Sequence, residues 1–224
     1  EVYLLKLNNL FTDAIIHDFS NYYKSSTIEK LITELNELIE KVDKGNNQLE
    51  ILFGELSLLR LKKQNKTIEA LENLLLKADN ISSEENVWFQ KRLKSEIIEE
   101  IIQISSFSKD SEQLIKLFEN GIEIKKEIND QEGLCQLLLF QSDYLFQTGG
   151  DIDQIEKYYF EAEKISKNIG SMDFASDSHS GLGNVYFMKK DYAKSLSQFS
   201  KACVESKIDD NIPNQYAALI GIHK

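Results

Sequence analysis

The chain has 224 residues, 42% of them hydrophobic, and a formal net charge of −11. That apolar content is enough for a core and excludes a disordered chain. The acidity, with Arg60 and Arg92 as the only arginines, excludes a surface that neutralises nucleic-acid phosphates or anionic lipid.

Pro213 is the single proline, so almost nothing in the chain forbids helix, and a turn-rich β-sandwich is disfavoured. Taken in chain order, a first helix is expected near 2–23. In the next segment Ile28, Leu31, Ile32, Leu35, Leu38, Ile39 and Val42 follow the spacing of one helical face, which predicts a helix over 27–43. Ser26 or Thr27 serves as its N-cap, and the run Lys44-Gly45-Asn46-Asn47 ends it. The same reasoning places helices near 46–63, 66–79, 84–107, 110–128, 131–147, 152–169, 173–189, 192–206 and 211–223. About eleven helices result, joined by short polar turns that force neighbours to run antiparallel.

An internal repeat accounts for this regularity. Gly181-Leu182-Gly183-Asn184-Val185-Tyr186 is followed by Asp191-Tyr192-Ala193, then Leu196, Phe199 and Ala202. A side chain at Gly183 would hold two helices apart. Tyr186 and Phe199 have the bulk to fill the space between hairpins, and Ala202 leaves room for the next helix. Phe140, Tyr144, Ile155, Tyr159 and Ala162 repeat the pattern across a longer Gly149-Gly150-Asp151 turn, with Ala162 lying 40 residues before Ala202. Ile220-Gly221 repeats Leu182-Gly183, and Leu114, Phe118 and Gly121 read as a preceding second helix. Gly54 with Ala70 and Leu74 outlines a more degenerate hairpin.

These residues resemble the tetratricopeptide signature, with Ser195 standing where that family usually has Ala. The period is longer than the usual one of about 34 residues and is similar to the long-helix variants of kinesin light chains and of bacterial peptide-sensing regulators. The resemblance implies a right-handed superhelical solenoid of antiparallel helix hairpins. Residues 1–45 read as a helical cap or degenerate repeat, and 46–224 as repeats of which the last is incomplete. The chain opens on Glu1 rather than Met, and a section cut from a longer protein with further domains is the expectation.

Little in the chain suggests catalysis or cofactors. His17, His179 and His223 lie far apart without partners at metal-ligand spacing. His179-Ser180-Gly181 sits within a predicted helix rather than on the strand–turn–helix elbow of a nucleophile. Neither a metal, a cofactor nor an enzymatic activity is therefore expected. Cys135 and Cys203 read as small buried hydrophobes of a reducing compartment. No apolar run approaches the ~20 residues of a membrane span, so a cytoplasmic protein without membrane contact is expected.

Binding is the remaining expectation. In stacked hairpins of this kind, the first helix of each pair lines the concave face, where Ser180, Asn184, Phe187 and Met188 project. The resemblance implies that an Asn at position 184 clamps a ligand backbone, since a carboxamide both donates and accepts. One repeat earlier, Ser142 is matched to Asn184, beside Leu145 and Phe146, which make that part of the groove apolar. Ser180 replaces the Lys of carboxylate-clamp repeats. The expected partner is another protein or a peptide, bound by a scaffold or by the sensing arm of a larger bacterial regulator.

Overall fold

Each stripe of apolar residues becomes one helix. The structure, a computed structural model, describes residues 25–41, 48–61, 67–81, 87–105, 111–208 and 221. Among the described residues there is no strand, and nine α-helices follow one another: α1 (Ser25–Lys41), α2 (Gln48–Leu61), α3 (Ile68–Asp79), α4 (Val87–Ser105), α5 (Ser111–Glu127), α6 (Gln131–Thr148), α7 (Ile152–Ile169), α8 (Met172–Met188) and α9 (Tyr192–Ile208). The helix expected near 2–23 lies outside the described residues. Of that expected at 211–223 only Gly221 is described, helical and buried. Ser26 and Thr27, expected as N-caps, lie inside α1, which begins at Ser25.

Capping side chains fix several of the other starts. Thr67, Asp130, Asp151 and Ser171 accept hydrogen bonds from backbone N–H groups in the first turns of α3, α6, α7 and α8, which satisfies donors that a helix start leaves orphaned. Gly149 and Gly170 close α6 and α7 in the left-handed conformation, with φ of 75° and 74°, where a Cβ would be strained.

The chain divides into two compact units at Leu114/Ile115. In the first, α1 packs on α2, α2 on α3 and α4, and α3 on α4. Their core holds Leu35, Leu56, Leu71, Leu93, Ile97, Ile98 and Ile101. Arg60 crosses from α2 to α4, with Nε donating to Glu100 Oε1 at 2.6 Å and Nη1 to Glu96 Oε2 at 3.1 Å. Gln90 Nε2 donates to the Ala78 and Ile81 carbonyls, so a side chain of α4 closes the C-terminal end of α3.

The second unit is a run of hairpins in which α6 packs on α7, α7 on α8, α8 on α9, and α6 also on α8. Its core draws Leu134, Leu138, Ile155, Ala162, Ile165, Leu182 and Val185 together. Phe118, Tyr159 and Phe199 stand at matching places on α5, α7 and α9, each followed three residues later by a buried small residue: Gly121, Ala162 or Ala202. A Cβ on Gly183 would meet the Phe199 ring at 2.7 Å, so the close approach expected of that glycine is present.

Candidate binding face

The register of the two hairpins decides which residues share a face. Along the α8–α9 seam, Ser176 Oγ donates to the Ala202 carbonyl at 3.1 Å and Ser195 Oγ to the Gly183 carbonyl at 2.8 Å. Each helix thus lends one hydroxyl to the backbone of the other. In the α6–α7 hairpin Cys135 takes the place of Ser176, its Sγ donating to the Ala162 carbonyl at 3.3 Å.

Cys135 and Ser176 are 41 residues apart, whereas the acceptors Ala162 and Ala202 are 40 apart. The N-caps Asp130 and Ser171 share the spacing of 41, as do the left-handed residues Gly149 and Lys190. The odd residue is Gly150, an extra position in the α6–α7 turn. In this register Asn184 matches Asp143, and Ser142 matches Gly183. The pairing of Ser142 with Asn184 expected from the sequence is therefore one residue out.

At the position equivalent to Gly183, Ser142 faces the core. It is 0% exposed and its hydroxyl donates to the Leu138 carbonyl of its own helix at 2.7 Å. A buried side chain at Gly183's crowded position offers nothing to a ligand. Leu145 and Phe146 are partly buried and pack against the core. Asp143, overlooked in the sequence, is exposed instead and accepts a hydrogen bond from the Tyr159 hydroxyl at 2.5 Å.

On α8 the open positions are Asp173, Asp177, Ser180, Asn184 and Phe187, all intermediate in exposure, ending on Met188 at 64%. Their spacing of three or four residues makes one helical stripe. The α6 stripe runs Glu132, Gln136, Phe140, Asp143 and Gln147. Asp177 is close enough to raise the pKa of both the Cys135 thiol and the Tyr159 phenol, so the α8 stripe borders α6. Phe187 meets Tyr192 edge-on, with ring centroids 5.6 Å apart, which steadies the ring at the end of the stripe. Ser180 Oγ is covered, with no hydrogen-bond partner.

The sequence also hid an ionic cluster. His179 is 1% exposed, its Nδ1 2.5 Å from Glu205 Oε2 of α9 and its Nε2 3.0 Å from Glu163 Oε1 of α7. One ring thus links three helices. Burial pushes the Glu163 carboxyl up, but hydrogen bonds from Lys167 and His179 outweigh it and hold its pKa below the usual range. A His-Ser-Gly triplet carries no signal of this, because both partners come from other helices.

Cys135 and Cys203 are free and buried, as the sequence led us to expect. Burial first, and Asp177 second, push the Cys135 thiol up to about 12, which makes it inert. Among the described residues no group of His, Cys, Asp and Glu is placed to hold a metal, and no helix is long and apolar enough to cross a membrane.

No family model matches the chain. No curated protein matches it either. Its structure is similar to BtubC (BKLC) from P. vanneervenii, with a TM-score of 0.62 over 88% of this chain and 84% of that one, at 12% identity. At that identity the likeness concerns the fold alone, and together with the all-helical architecture it fits a helical-repeat fold.

Proposed function

We propose that the chain is a non-enzymatic, tetratricopeptide-like interaction module of the long-repeat kind, binding a peptide or helix of a partner protein. In this reading the hairpins wind into a right-handed solenoid whose concave side is lined by first helices such as α6 and α8. The observation that carries the proposal is the pair of aligned open stripes on these neighbouring helices. Asn184 and Asp143 stand at equivalent places there, beside Phe140, Phe187 and exposed Met188.

Such a face combines rigid aromatic and flexible thioether anchors with polar groups able to meet a backbone. The partner meets the face in the cytoplasm, where the two buried cysteines stay reduced. A pull-down from the native host with the wild-type chain, Asn184→Ala and Phe187→Ala tests this. Both variants are expected to lose a partner that the wild type retains. Retention of every partner by both variants defeats the reading.

A further inference from the structure

Lysine is confined to one kind of helix in the second unit, although α7 also carries Asp153, Glu156, Glu161 and Glu163. The first helices, α6 and α8, carry Glu132, Asp143, Asp173 and Asp177 and not one lysine or arginine. The second helices carry the cations: Lys157, Lys164 and Lys167 on α7, and Lys194, Lys201 and Lys207 on α9. His179, the one basic type of side chain on α8, is turned into the core between Glu163 and Glu205. All four carboxylates of α6 and α8 occupy the open stripes.

Their spacing decides what they suit. Glu132 and Asp143 are 11 residues apart on one helix, hence about 16 Å along its axis. Neighbouring helix axes lie roughly 8–10 Å apart. Carboxylates so dispersed cannot converge on one ion. They can meet several cations strung along a chain, and ~16 Å is the length of about five extended residues. Phe140 lies between Glu132 and Asp143 on α6, and Asn184 and Phe187 follow Asp177 on α8; these suit apolar side chains and backbone.

We infer that the open face of α6 and α8 binds a basic segment of a partner protein, with lysines or arginines alternating with apolar residues. The inference rests on the peptide-binding reading above and adds the chemical class of the ligand. The field of a chain with net charge −11 favours the same class of partner at long range.

The test is fluorescence anisotropy on the full chain with two labelled octapeptides. One alternates Lys with Leu and Phe, and the other has Glu in place of every Lys. Glu132→Gln combined with Asp143→Asn removes two charges from the face, and the Asn oxygen can still accept from Tyr159. Glu119→Gln with Glu123→Gln removes two from exposed positions on α5. Glu132→Gln alone repeats the test without touching Tyr159. We expect the lysine peptide to bind, and the face pair to weaken it by about 5-fold or more against less than about 2-fold for the α5 pair. Equal effects of the two pairs would overturn the inference, as would no binding of either peptide. Preference for the glutamate peptide, abolished by Asn184→Ala and Phe187→Ala, would overturn the charge inference while leaving the groove standing.

Discussion

The ring of Tyr159 on α7 is packed so close to Gly181 on α8 that there is no space for a Cβ between them. Phe199 on α9 stands in the same relation to Gly221, and in each case 22 residues separate ring and glycine. One kind of ring–glycine contact is thus used twice, and at Gly181 it stacks α7 on α8. Gly181→Ala forces the ring or the helix to move. It is expected to destabilise the second unit by about 1–3 kcal/mol, measured by urea denaturation of the full chain. An unchanged midpoint would mean that the contact is loose.

The reciprocal serines of the α8–α9 seam give a second expectation. Ser176→Ala and Ser195→Ala each leave a buried carbonyl short of a donor. Each should cost about 1 kcal/mol. Ser176→Cys, which copies Cys135 in the preceding hairpin, should restore part of the loss. A Cys variant no better than Ala would show that the sulfur contact of Cys135 has no counterpart there.

Much of this architecture was legible beforehand. Gly183, Phe199 and Ala202 announce a close-packed hairpin because their volumes alone permit it, whereas the N-cap expected at Ser26 or Thr27 falls inside α1. The register between repeats was not legible, since the extra residue Gly150 makes the spacing 41 between α6 and α8 but 40 between α7 and α9. Pairing Ser142 with Asn184, 42 residues on, overshoots that register by one; Ser142 is a core residue and Asp143 the open one. The His179 cluster was hidden for another reason: its three members are 16 and 26 residues apart, and only the fold brings them together.

That cluster predicts acid sensitivity. The Glu163 carboxyl is held below its usual pKa in the folded chain by Lys167 and His179. Its stabilisation is fully present above the unfolded carboxylate value of about 4.3 and is lost as pH falls through the lower folded value. Glu163→Gln removes this component. The variant should lose less thermal stability than the wild type between about pH 5 and pH 3. Parallel pH profiles of Tm would contradict the role given to Glu163.

His179→Ala leaves two carboxylates facing each other across a gap, with the intervening ring gone. Breaking a buried ionic contact by removing one partner costs about 3–5 kcal/mol, reduced here because Glu163 and Glu205 keep 13% and 17% side-chain exposure. A loss of about 2–4 kcal/mol is expected, and Glu205→Gln in the same background should recover part of it. If the double variant is less stable than His179→Ala, the two carboxylates do not repel.

Cys135 offers a chemical readout. Its thiol, pushed up to about 12, should resist a thiol reagent at pH 8 in the folded chain and react once urea exposes it. Rapid labelling of Cys135 under native conditions would show that α6 opens away from α7.

A partner docked on the open stripes of α6 and α8, as proposed, comes within reach of position 187 and not of position 160. The most direct measurement places a photo-crosslinking phenylalanine at position 187, at the end of the α8 stripe, and separately at position 160, where Phe160 is 41% exposed on α7. After irradiation in the native host, a discrete adduct is expected from position 187, its cross-linked peptide mapping to one segment of one protein, and none from position 160. Capture of the same protein from position 160, with nothing from position 187, would contradict the proposed docking.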